Sequence, residues 1–209
     1  LFIIIKYYCN DIMSYKITGS GSCIPSIVLQ NSAFLGHSFL DNQGAVLKVD
    51  NETIIDKFNS ITGIDERKYI SPELKTSDIA HHAAQKAIED ANVDPETIDY
   101  IIVAHNFGDI TSESKQIDTL PSLASRVKTK LKIQNPKCVA FDILFGCPGW
   151  VEAIIQAQAF IKAGMAKKCL VIGADALSRV VDLHDRDSMI YADGAGAILL
   201  EESGQEGGI

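Results

Sequence analysis

The sequence predicts an α/β fold on a mostly parallel sheet, and three observations carry the prediction. Runs such as Ile98 to Ala104 are near-continuously apolar, as in strands buried on both faces. Between them lie segments with apolar residues at helical spacing. The two kinds alternate as βαβαβα and end in two strands read as antiparallel, which implies right-handed crossovers within one sheet.

The elements follow in order. Tyr15 to Gly19 reads as a short strand running into Gly19-Ser-Gly21-Ser-Cys-Ile-Pro25. Residues 30–60 are polar and mixed, a loop with a short helix near 50–59. Ser77 to Ala91 is a helix: Ile79, Ala80, Ala83, Ala84, Ala87, Ile88 and Ala91 share one face. Ser77 suits its N-cap and Asn92 its stop. After strand 98–104, a second helix is predicted at about 119–132, and Lys137–Ile143 is the next strand. Helix Trp150–Ala163 has few polar residues and ends at Gly164, a pattern typical of a helix buried between layers. Strand Cys169–Ala174 precedes a predicted hairpin, Ser188–Ala192 and Ala195–Leu200, turning at Asp193-Gly194.

Composition narrows the function. Apolar residues make up 46% and charged residues 22%, which excludes disorder, collagen and a disulfide scaffold. The net charge of −8 argues against a nucleic-acid binder held by phosphate contacts. No apolar run approaches the roughly 20 residues of a membrane helix. The five cysteines, Cys9, Cys23, Cys138, Cys147 and Cys169, include no pair with metal-site spacing and suit a reducing cytoplasm. Met13 is expected to be the natural start, with residues 1–12 an extension before it. The domain proper is then 13–200, and the Gly-rich 201–209 reads as a linker.

The strongest chemical signal is Phe141-Asp-Ile-Leu-Phe-Gly-Cys-Pro-Gly-Trp150. It sets the Cys147 thiol between a buried strand and the first turn of a helix. Gly146 and Gly149 suit a tight turn, and Pro148 suits the first helical position. The helix N-terminus offers free N–H groups and partial positive charge, which stabilise a thiolate, the nucleophilic form. An inert core cysteine at a tight turn is the other reading of the same residues.

Asp142, Ile143, Cys147, Gly149 and Trp150 resemble the active-site elbow of the β-ketoacyl-acyl-carrier-protein synthase III family. Gly19-x-Gly21-x-x-x-Pro25, Thr62-Gly-Ile-Asp-Glu-Arg67, the stretch Pro95 to Ala104, Gly173-x-Asp175 and Asp193-Gly-Ala-Gly-Ala197 resemble its further motifs, in order. The resemblance implies the N-terminal half of a thiolase-like fold, βαβαβαββ with a buried active-site helix. It also implies an acyltransferase of fatty-acid or polyketide biosynthesis. Cys147 takes an acyl group from a thioester, and a malonyl-carrier thioester then loses CO₂ and attacks it. No cofactor is implied beyond acyl-CoA or acyl-carrier thioesters. The partners implied are an acyl carrier protein and a second copy of the chain.

In the family a His/Asn pair completes the site from a second half, and His37, His81, His82, His105 and His184 match no such motif. His105 is read as a loop histidine. Lys57 and Ile61 stand where many acyl-CoA-using relatives carry a Trp and an Arg, so a stacking platform for CoA is missing. Arg179 matches an arginine that faces the adenine, leaving CoA and carrier protein both open as donors. Leu120 aligns with a residue that reaches across the dimer into the partner's acyl pocket, or else packs in the core. Between Thr119 and Phe141, Arg126, Lys128, Lys130, Lys132 and Lys137 stand without an acidic residue. They read either as a docking face for an acidic carrier or as a solvated helix face. Another thiolase-fold enzyme and a non-catalytic partner subunit are the alternative functions.

Overall fold

The computed structural model describes residues 14–203. The expected extension, Met13 and most of the expected linker lie outside them. Five strands form the central sheet: β1 (Ser14–Cys23), β4 (Tyr100–His105), β7 (Val139–Leu144), β8 (Lys168–Ala176) and β9 (Asp193–Ser203), in the order β1-β9-β8-β4-β7. β4 pairs in parallel with both β7 and β8, whereas β9 runs antiparallel to β8 and β1. Four strands therefore point one way and β9 opposes them.

Helices α2 (Thr76–Ala91) and α3 (Leu123–Lys130) cover one face of the sheet, and α4 (Gly149–Lys162) covers part of the other. The first core joins the alanine face of α2 to Ile101, Val103, Leu170 and Leu199. The second sets Ala153, Ala157 and Ile161 of α4 against Ile102, Val171 and Ile198. Alternate residues of one strand thus feed opposite cores, which is why the strands read as continuous apolar runs. Among the described residues, no helix is long and apolar enough to cross a membrane.

The 27–70 region carries α1 (Asn51–Thr62) and the hairpin of β2 (Ile27–Gln30) with β3 (Glu66–Tyr69). The short pairs β5 (Asp109–Ile110) and β6 (Ile117–Asp118) lie at the end of β4. Arg67, buried, pins the 27–70 region: its guanidinium donates to the carbonyls of Met189 and Leu29 and to Asn31 Oδ1.

Four expectations change. β1 does not stop at Gly19 but runs to Cys23, because Gly19 and Gly21 are points of contact rather than breaks. A Cβ on either would collide with backbone atoms of α2 at Ala87, Ala91 or Ala83. The expected 188–200 hairpin is absent. Asp193-Gly194 begins a single strand, β9, which runs through Ser203, past the predicted boundary at 200; residues 186–190 are 3₁₀-helical. The Asp193 carboxylate explains this, since it accepts from Ser178 N and Oγ and from Ile70 N and so serves as a buried anchor rather than a turn. The second helix is shorter than 119–132. Ser122 caps it by accepting from Ser125 N, and Pro121 before it favours extended chain. Finally, α4 is buried on one side only: Val151 and Ile155 stay exposed.

Gly21→Ala should cost about 2 kcal/mol by overpacking against α2. Thermal unfolding checks this: the midpoint should fall by several degrees, and an unchanged midpoint would contradict the close β1–α2 contact.

Candidate active site

The parallel strands β4, β7 and β8 end together, and the chemistry-bearing residues gather at their carboxyl ends, as expected for an α/β sheet. β7 ends at Leu144 and α4 begins at Gly149, so Phe145-Gly-Cys-Pro148 is a four-residue turn. Gly149 N donates to Gly146 O at 2.7 Å and Glu152 N to Pro148 O at 3.0 Å, closing the turn onto the helix. Gly149 packs against Ala104 and Phe145, and a Cβ there would press on both. Cys147 rides outside this contact, exposed.

Two cavities meet at Cys147. One, of about 250 Å³, has small residues of β8 and β9 on its floor, among them Gly173, Ala195 and Gly196, with Trp150 and Asp175 on its walls. The other, of about 400 Å³, is lined by Asn106, Phe107, Leu177, Val180 and Tyr191. A thiol at their junction can meet a ligand from either side.

The other described cysteines differ. Burial pushes the Cys169 thiol up to about 12 and raises those of Cys138 and Cys23. Cys23 Sγ lies 3.9 Å from His82 Nδ1, and nearby Lys86 offsets its burial only in part. Cys138 and Cys169 pack as small buried residues of the core.

A network of buried polar groups supports the turn. Asp142 of β7 accepts from Leu123 N (2.6 Å) and Ala124 N (2.8 Å), the first turn of α3. It also meets His105 Nε2 at 2.9 Å. Gly108 N donates to His105 Nδ1, so the ring presents its Nε2–H to Asp142. His105 is therefore not a loop histidine: it is the last residue of β4, 1% exposed, and held on both nitrogens. Next to it, Asn106 binds Asp175, whose carboxyl is raised by burial against the pull of those hydrogen bonds.

In the sequence Asp142 and Asp175 stand out only within motifs, and Asn106 carries no local signal of a role. An acidic residue inside an otherwise apolar strand is the signal that marks Asp142, because a buried carboxylate needs partners.

Other expected site residues are placed differently. Arg179 is buried, and its guanidinium donates to the carbonyls of Ile110, Ser71 and Pro72. It clamps loops together, which corrects the expectation of an arginine open to an adenine. Leu120 is 82% exposed, so core packing is ruled out for it. Lys57 and Ile61 lie on α1 beside an apolar groove of about 590 Å³ with Phe58, Met189 and Ile190. The basic 126–137 stretch is largely spent within the chain, since its acidic partners come from elsewhere in the sequence. Arg126 pairs with Asp109 and Asp118, Lys130 with Asp78, and Lys128 donates to the carbonyls of Asn135 and Cys138. Arg126, Lys128 and Lys130 are thereby withdrawn from a docking face, whereas Lys132 and Lys137 stay exposed.

A three-layer α/β/α unit with a cysteine turn leading from sheet to helix is a thiolase-like arrangement. The family described as 3-Oxoacyl-[acyl-carrier-protein (ACP)] synthase III matches residues 141–209, which include the turn. Two curated relatives are named β-ketoacyl-[acyl-carrier-protein] synthase III. That of Vibrio parahaemolyticus is 40% identical over 198 residues, covering 94% of this chain and 55% of the relative. That of Neisseria gonorrhoeae is 38% identical, covering 92% and 53%. The crystal structure of 3-oxoacyl-[acyl-carrier-protein] synthase III from Aquifex aeolicus superposes with a TM-score of 0.74 at 33% identity, covering 92% of this chain and 55% of that one. The chain is similar to these β-ketoacyl-acyl-carrier-protein synthase III proteins over nearly all of its own length. It spans about half the length of the curated relatives it matches.

Two outcomes check the site. Iodoacetamide at pH 8 should modify Cys147 about tenfold or more faster than Cys23, Cys138 or Cys169, read by peptide mass mapping; preferential labelling of another cysteine would contradict the exposure pattern. Asp142→Ala should cost about 3 kcal/mol, because it strands His105 and two helix N–H groups, seen as a lowered midpoint in urea.

Proposed function

We propose that this chain supplies the nucleophile of a 3-oxoacyl-[acyl-carrier-protein] synthase III-type acyltransferase. The observation that carries the reading is the placement of Cys147: exposed, at a helix N-terminus, where two cavities meet. In the first half-reaction the Cys147 thiolate attacks an acyl thioester, and the donor thiol leaves. In the second, malonyl-carrier thioester loses CO₂, and the resulting carbanion attacks the acyl-enzyme. A carbon–carbon bond forms and the thiolate is released. A thiolate is both a good nucleophile and a good leaving group toward thioesters. No cofactor is required, because both the electrophile and the carbanion come from thioesters.

The oxyanions of both steps need fixed donors. The first-turn N–H groups of α4 lie beside Cys147, and the resemblance puts a His/Asn pair in sequence beyond that present here. Relatives about twice as long agree with that division, as does the exposed apolar side of α4, which further chain would cover. The whole protein, rather than residues 13–200 alone, is then the catalytic unit, acting in fatty-acid or related polyketide synthesis.

A homodimer fits the opposite side of the fold. β7 is an edge strand of the sheet. Val139, Leu144, Phe145 and Leu120 are all exposed near that edge. A second copy would bury them and pair the open edge, and Leu120 would then reach the partner's acyl pocket. The carrier protein or CoA would deliver the acyl group through the cavity of Phe107 and Val180.

The test is turnover by the full-length gene product. Given an acyl thioester and malonyl-carrier protein, it should release CO₂ and form a β-ketoacyl carrier. Cys147→Ala should lower condensation by on the order of 10³ or more. A variant that still condenses at the wild-type rate would exclude Cys147 as the nucleophile.

A further inference from the structure

Asn106 follows the last residue of β4, and Asp175 lies near the end of the neighbouring parallel strand β8. Asp175 Oδ1 accepts the backbone N–H of Asn106 at 3.0 Å, and Oδ2 accepts from Asn106 Nδ2 at 2.7 Å. A carboxylate only accepts, so it dictates which way the carboxamide faces: nitrogen toward Asp175, oxygen away. That oxygen is the one group a Cβ on Gly146 would meet, at 3.4 Å. Asn106 borders the larger cavity at Cys147 and Asp175 the smaller, while Gly146 and Cys147 border both. The pair is thus the wall between the two cavities, set against the turn that carries the thiol. The turn has little packing of its own: Leu144, Phe145, Cys147 and Pro148 are exposed, and Gly146 offers no side chain.

We infer that Asn106 is a positioning residue for Cys147 and that Asp175 is the group that orients it. The carboxamide oxygen is a fixed acceptor at the Gly146 side of the turn, and the pair keeps the two cavities distinct where they meet the thiol. Both residues act through the Gly146–Cys147 backbone and not on the reacting atoms. The inference rests on the reading of Cys147 as the nucleophile.

A reciprocal exchange tests it on the full-length gene product. Asn106→Ala removes the wall. Asp175→Asn frees the carboxamide to turn over. The double variant N106D/D175N restores a matched pair: the amide introduced at position 175 donates to the carboxylate introduced at position 106, which still faces Gly146 with an acceptor. Acylation of Cys147 by an acetyl-pantetheine thioester, followed by intact mass, should slow about tenfold or more in each single variant. The double variant should recover most of the rate. Hydrogen–deuterium exchange should rise in residues 143–150 of the single variants, with the 168–173 stretch unchanged. Single variants that acylate at the wild-type rate would overturn the inference. So would a double variant as slow as the singles, or exchange that rises equally along β8, which would mark general destabilisation. If the wild-type full-length protein takes no acyl group at Cys147, the nucleophile reading falls instead, and the exchange measurement alone decides the pair.

Discussion

The carboxylate of Asp142 is the interaction on which the rest of the site depends. It sits inside β7 and accepts hydrogen bonds from the start of α3 and from His105 at the end of β4. Three separate chain segments therefore meet on one side chain. Burial of a carboxylate is costly unless all its lone pairs find donors, so the three segments have one relative placement that satisfies it. That placement fixes where β7 ends, and the end of β7 fixes where Cys147 emerges.

The same device recurs along this edge of the sheet. Asp109 takes Ser77 N and Oγ at the start of α2, together with Arg126. Asp193 ties the start of β9 to Ser178 and Ile70. Asp175 holds Asn106. Carboxylates at helix N-termini and strand ends satisfy backbone N–H groups that secondary structure leaves open. The edge that presents the thiol is thus held by polar groups, while the apolar cores lie behind it on both faces of the sheet. A site can then stay open to ligand without weakening the core. The apolar surface that remains open, on α4 and along β7, is where further chain and a second copy are proposed to pack.

The sequence made the periodic parts plain. The alanine face of residues 77–91 and the apolar run at 169–174 read directly as helix and strand, because burial on a sheet imposes that spacing. The elbow was legible too, since Gly146, Cys147, Pro148 and Gly149 are local turn and cap chemistry. What was not legible depended on distant partners. Gly19 and Gly21 look like breaks until α2 is placed against them. Asp193-Gly194 has the composition of a turn, but its carboxylate is bound by residues 15 and 123 positions away. Arg179 resembled a ligand-facing arginine, yet three carbonyls from other loops occupy it. The basic run at 126–137 looked free because its acidic partners, Asp78, Asp109 and Asp118, all precede it in the chain. His105 and Asn106 carried no local pattern, since their importance comes from the strands beside them.

The central claim is that Cys147 is the group that becomes acylated. It is tested most directly by trapping the covalent intermediate: incubate the protein with an acyl thioester in the absence of any malonyl thioester, quench in acid, and map the adduct by peptide mass spectrometry. One acyl group per chain is expected, on the peptide containing Cys147, and none in Cys147→Ser at the same exposure. An adduct on Cys23 or Cys138, or one that persists at full occupancy in the variant, would contradict it.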